Sequence, residues 1–189
     1  MLEIFSWLAV LLALVASGGL LLARDWRWQV VWAAAQYLAV FTLTLNHWPL
    51  SMAAATLVSG WMAAAMLGIS RPPAQSERSD SGRLFQGIIA AVVLLAVTVA
   101  AFSLSDWLGS AGFPLALGAL ILVGLGLLQL GMTSHPGRIT WGLLTTLAGF
   151  ETLFSALENS ILVAVLLSAV TLGLALAGAY LLQSAPEQV

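Results

Sequence analysis

The sequence predicts an all-α fold, a polytopic transmembrane bundle of about seven helices, and three observations predict it. Hydrophobic residues make up 61% of the 189 and charged residues only 7%, against about 25% charged in soluble globular domains. Mean hydropathy is +1.02. The apolar residues fall into long runs of about 16 to 22, the length a helix needs to cross roughly 30 Å of hydrocarbon. Short polar links separate these runs, and all six basic residues, every one an arginine, lie in those links.

Segment one runs from Leu2 to Ala23 and stops at Arg24-Asp25-Trp26-Arg27-Trp28, where charge interleaved with Trp reads as an anchor at the headgroup level. No positive region precedes it and it is long enough to span, so it is expected to remain as a mature helix. Segment two, Val30 to Leu45, is the least apolar, with Gln36, Thr42 and Thr44. Asn46-His47-Trp48-Pro49 then makes a tight link, and Pro49 suits the first turn of segment three, Leu50 to Ile69. Residues 71–83 form the one polar stretch, rich in Pro, Ser and charge, and divide helices one to three (1–70) from helices four to seven (84–189). Segment four, Leu84 to Leu104, closes at Ser105-Asp106-Trp107. Segment five, Pro114 to Gly131, carries Gly118, Gly124, Gly126 and Gly131, which permit close helix approach but identify no ligand. Segment six, Ile139 to Leu157, and segment seven, Ile161 to Leu182, complete the set.

Alternating seven helices puts loops one-two, three-four and five-six on one side. These hold Arg24, Arg27, Arg71, Arg78, Arg83 and Arg138, and the opposite side holds no arginine. The positive-inside rule then places the amino terminus outside and the carboxyl terminus in the cytoplasm.

Several chemistries are excluded by residue type. There is no lysine for a retinal Schiff base and no cysteine for a disulfide or thiolate site. His47 and His135 are the only histidines and fall in links on opposite sides, so a haem between paired histidines is ruled out. His135, beside Pro136-Gly137, reads as a turn residue rather than a metal ligand. The glycines of segment five are followed by no phosphate-binding lysine. No basic arm can follow a nucleic-acid backbone. The sequence therefore implies no cofactor, no metal site and no nucleic-acid partner; lipid and other integral membrane subunits are the expected neighbours.

What remains is a pair of carboxylates. Glu151 and Glu158 lie two turns apart in Gly149-Phe150-Glu151-Thr152-Leu153-Phe154-Ser155-Ala156-Leu157-Glu158-Asn159-Ser160, and project from roughly one helical face. Glu151 lies roughly 4 to 5 Å from the middle of segment six, and Glu158 at its outer edge. A carboxyl at that depth is costly to ionise, so its face should turn to protein or water and it can hold and release a proton. Thr152 and Ser155, with Thr145, Thr146, Ser168 and Thr171, are the hydroxyls available to a proton path, and Glu158 suits an entry or exit group. In the structural alternative, Glu151 hydrogen-bonds within the bundle and Glu158 marks a helix end. Two other classes stand beside ion movement: a non-catalytic membrane subunit that packs against larger partners, and a stand-alone small-solute permease. The permease is less favoured because neither a sequence repeat nor a broken helix is evident.

The stretch Gly149–Leu157 resembles the small K subunit of respiratory complex I and the related small C subunit of multisubunit sodium/proton antiporters. Glu158-Asn159-Ser160 resembles the Glu-Asn-Gly of the E-type membrane subunit of group-4 hydrogenases. The likeness is specific over about 12 residues and looser from Gly131 to Leu182. It implies a non-redox, multi-pass subunit of a proton- or cation-translocating complex in a prokaryotic inner membrane. It also implies that Glu151 is the proton-transfer carboxylate and Glu158 its hydrogenase-type counterpart. Segment seven lacks the second carboxylate of the complex I subunit, so the resemblance does not extend to a complete two-carboxylate relay within this chain.

Overall fold

A computed structural model describes residues 2–23, 25–70, 82–108, 112–133 and 135–184. Seven helices follow one another: α1 Leu2–Leu22, α2 Trp26–Thr44, α3 Leu50–Ile69, α4 Gly82–Leu108, α5 Gly112–Gly131, α6 Pro136–Leu157 and α7 Ile161–Ser184. The polar connection expected at 71–83 lies outside the described residues as far as Ser81, and α4 has begun by Gly82. Helices α2, α5 and α6 start two to four residues earlier than their apolar runs. A helix continues into interfacial residues such as Trp26-Arg27-Trp28 because its backbone bonds do not depend on side-chain polarity. Gly112, at φ +77°, turns the chain into α5 through a conformation that a side chain disfavours.

The helices form two layers of three. α2 packs between α1 and α3, α6 packs between α5 and α7, and the layers meet as α1 on α5, α2 on α6 and α3 on α7. Side-chain bonds fix which ends coincide. At one end Asn46 Nδ2 donates to Ser6 Oγ at 3.3 Å and Trp48 Nε1 donates to the Glu158 carbonyl at 3.0 Å. At the other end an Arg138 guanidinium N–H donates to the Leu21 carbonyl at 3.0 Å, and Gln183 Nε2 to Ser70 Oγ at 3.5 Å. All three facing pairs are therefore parallel, and all six helices run between the same two ends.

This stacking has a regular spacing that no sequence likeness reveals. Leu2 to Gly112 and Trp26 to Pro136 are both 110 residues, and Leu50 to Ile161 is 111, so the second layer starts its helices in the rhythm of the first. The architecture is thus three helices, a linker helix, and three helices again. Helix α4 is that linker, and its substantial packing is on α5 alone.

Five helices, α1, α3, α4, α5 and α7, are long and apolar enough to cross a membrane by composition. The other two, α2 and α6, have comparable lengths of 19 and 22 residues but are more polar. Each is the middle helix of its layer with three helical neighbours, so its polar groups can face protein instead of lipid. The chain is a multi-pass membrane protein. Where α5 crosses α6 the backbones touch: a Cβ on Gly149 would stand 2.7 Å from the Ala119 carbonyl, and one on Gly142 would stand 3.1 Å from the Gly126 carbonyl. Small residues let helices approach where lipid supplies no hydrophobic drive for association.

Candidate functional site

The polar centre lies where the two middle helices meet each other and α7. Helix α6 turns Thr145, Glu151, Thr152 and Ser155 into the bundle, and α2 turns Gln36 and Tyr37 to meet it; all six are buried. Thr145 Oγ1 donates to Gln36 Oε1 at 3.3 Å, tying α6 to α2. Glu151 is fully buried, at 0% exposure. Its Oε1 accepts a hydrogen bond from Thr171 Oγ1 of α7 at 3.3 Å. Its Oε2 is buried with no hydrogen-bond partner among the described residues, and the same holds for the Tyr37 hydroxyl and Ser168 Oγ. The Tyr37 hydroxyl lies beside the Thr171 side chain, without completing a hydrogen bond to it.

Gly60 of α3 creates the room for this arrangement, because any Cβ there would collide with the Tyr37 ring. The ring lies against α3 backbone and its hydroxyl reaches toward α7. Buried polar atoms without partners cost about 1–3 kcal/mol each, so Glu151 Oε2 and the Tyr37 hydroxyl each demand a physical reason.

The predicted site residues separate into two groups. Glu151 joins the centre, and Thr171, named among its available hydroxyls, is its bonded partner. Thr152 and Ser155 are buried beside it, but their hydroxyls donate within α6, to the Ala148 carbonyl at 2.9 Å and the Thr152 carbonyl at 2.7 Å. Thr146 likewise donates to the Gly142 carbonyl at 2.9 Å. Glu158 stands apart: it is exposed and ends α6 in extended conformation, at φ −151° and ψ 143°. About 10 Å of helix rise separates it from Glu151.

No family model matches the chain, and neither a characterised protein nor a solved structure matches it.

Two residues of the centre, Gln36 and Tyr37, escaped sequence reasoning as a pair. The signal for them was the low apolarity of segment two, which marks a helix shielded from lipid and therefore a place to seek partners for Glu151. Glu158 has a structural use through its backbone, since its carbonyl accepts the indole N–H of Trp48, which is 3% exposed. Trp48→Phe should lower bundle stability by about 1 kcal/mol, whereas Glu158→Gln leaves that bond in place and should shift thermal unfolding in detergent little. Equal losses from both substitutions would assign the stabilisation to the Glu158 side chain instead.

Proposed function

We propose that the chain is a non-catalytic integral membrane subunit that packs against larger membrane partners, with α4 as its docking helix. The observation that carries this reading is the one-sided attachment of α4. Its free surface mixes large apolar side chains with exposed Gly87, Ala91, Ala96, Thr98, Ala100 and Ser103. A shallow groove of about 490 Å³, lined by Ala100, Ser103, Leu104 and Leu120, runs between α4 and α5. Lipid chains need no small-residue surface, but an approaching transmembrane helix does, because close backbone contact drives association in hydrocarbon. Native mass spectrometry of the chain extracted from its own membrane should show it bound to a second polypeptide. A free chain of 19.8 kDa as the sole species would refute the reading.

A second reading is favoured by the unpartnered Oε2 of buried Glu151. In it the subunit contributes to proton or cation translocation through Glu151, with Glu158 as an entry or exit group, inside an assembly of the complex I or antiporter kind. Thr152 and Ser155 serve that path if their hydroxyls turn from their own helix toward water. Both readings place the Arg138 end in the cytoplasm and the Glu158 end outside. A cysteine at Ser105 should then react with an impermeant thiol reagent from outside while one at Ser76 is protected; the reverse pattern would invert the chain.

A further inference from the structure

We propose that Glu151, Tyr37 and Thr171 form a binding site for a dehydrated monovalent cation of sodium size. This rests on the ion-handling reading of Glu151 and not on the docking role of α4. The donors are a carboxylate oxygen, a phenol oxygen and a hydroxyl oxygen, a hard, all-oxygen set that suits an alkali cation rather than a transition metal. The set carries one negative charge, which one monovalent cation neutralises. Among the described residues no group of three His, Cys, Asp or Glu side chains exists to hold a metal ion.

Two of the donors, Glu151 Oε2 and the Tyr37 hydroxyl, are buried side-chain atoms with unused bonding capacity, on residues 0% and 1% exposed. Thr171 adjoins both, and it already gives its proton to Glu151 Oε1, leaving its oxygen lone pairs open. Ser168 Oγ, also buried and unpartnered, lies one turn from Thr171 on the same side of α7. The donors come from α2, α6 and α7, so an ion held there would join the two layers at their centre.

The test is thermal unfolding of the full chain in nanodiscs, followed by tryptophan fluorescence, in sodium chloride or choline chloride at equal ionic strength. A ligand bound only by the folded state raises the midpoint, here by about 5 °C or more at a hundredfold excess over its dissociation constant. Glu151→Gln should abolish the sodium-specific rise. Tyr37→Phe, which keeps the ring against Gly60, should reduce it, and Leu11→Val on the exposed face of α1 should leave it whole. Equal midpoints in sodium and choline for the wild type, or a full rise in both Glu151→Gln and Tyr37→Phe, would overturn the proposal. If sodium has no effect but Glu151→Gln still stops ion exchange in the assembled complex, the cation site fails while the proton-handling reading survives.

Discussion

If Glu151 handles ions as the second reading proposes, membranes containing the Glu151→Gln chain are expected to assemble their complex at wild-type levels and to lose ion exchange or proton pumping down to background. Glutamine preserves side-chain volume and keeps an oxygen to accept the Thr171 hydrogen bond, so bundle stability should change by less than about 1 kcal/mol. What disappears is the ionisable oxygen, and with it the capacity to exchange a proton or neutralise a cation. Glu151→Leu refines this comparison. From the sequence, leucine would be expected to impair assembly by stranding the partners of Glu151, but among the described residues the one hydrogen bond to its carboxyl is from Thr171. That hydroxyl can turn to a carbonyl of its own helix, as Thr140 and Thr152 do at 2.9 Å each. The leucine chain should therefore also assemble, because replacing a buried ionisable group by an apolar one of similar volume is often neutral. Full ion movement in the Glu151→Gln complex would reduce Glu151 to a packing residue.

The second large effect is expected on the opposite flank of the bundle. Ala100→Trp fills the groove between α4 and α5 with an indole while leaving the two-layer core untouched. If a partner helix seats there, the added volume should weaken association by about 1–3 kcal/mol, roughly 5- to 150-fold. The bundle should still fold, because Ala100 is exposed. A matching Leu176→Trp on α7, 61% exposed at the far edge of the same layer, should leave the complex intact. The readout is the fraction of chain recovered with its partner after mild extraction, and equal recovery from both variants would remove α4 from the interface.

Helix number, order and alternation were legible because the membrane imposes one length and one polarity pattern on every span. Starts were misplaced by a few residues wherever charge or Trp at the interface hid the first helical turn, as at Trp26 and Pro136. The inward facing of Glu151 was legible too, since an isolated carboxylate in an apolar run has few places to go but inward. Its neighbours were not, because the bond from Thr171 to Glu151 and the placing of Tyr37 beside Thr171 depend on which helices face each other, and α2 and α7 are far apart in sequence. The three-one-three arrangement was invisible for a similar reason. Its two layers share helix spacing rather than residues, so a search for similar residues finds nothing, while the distances between helix starts would have shown it. Finding it also removes one of the two objections to a permease reading, since parallel repeats occur among transporters. The one-sided attachment of α4 keeps the docking reading ahead.

Whether α4 meets protein in the membrane can be measured directly by placing a photo-crosslinking amino acid at Ser103 and, for comparison, at Leu176, and illuminating native membranes. The docking reading predicts a discrete adduct with another integral membrane polypeptide from position 103 and lipid adducts alone from position 176. Lipid adducts alone from both positions would contradict it.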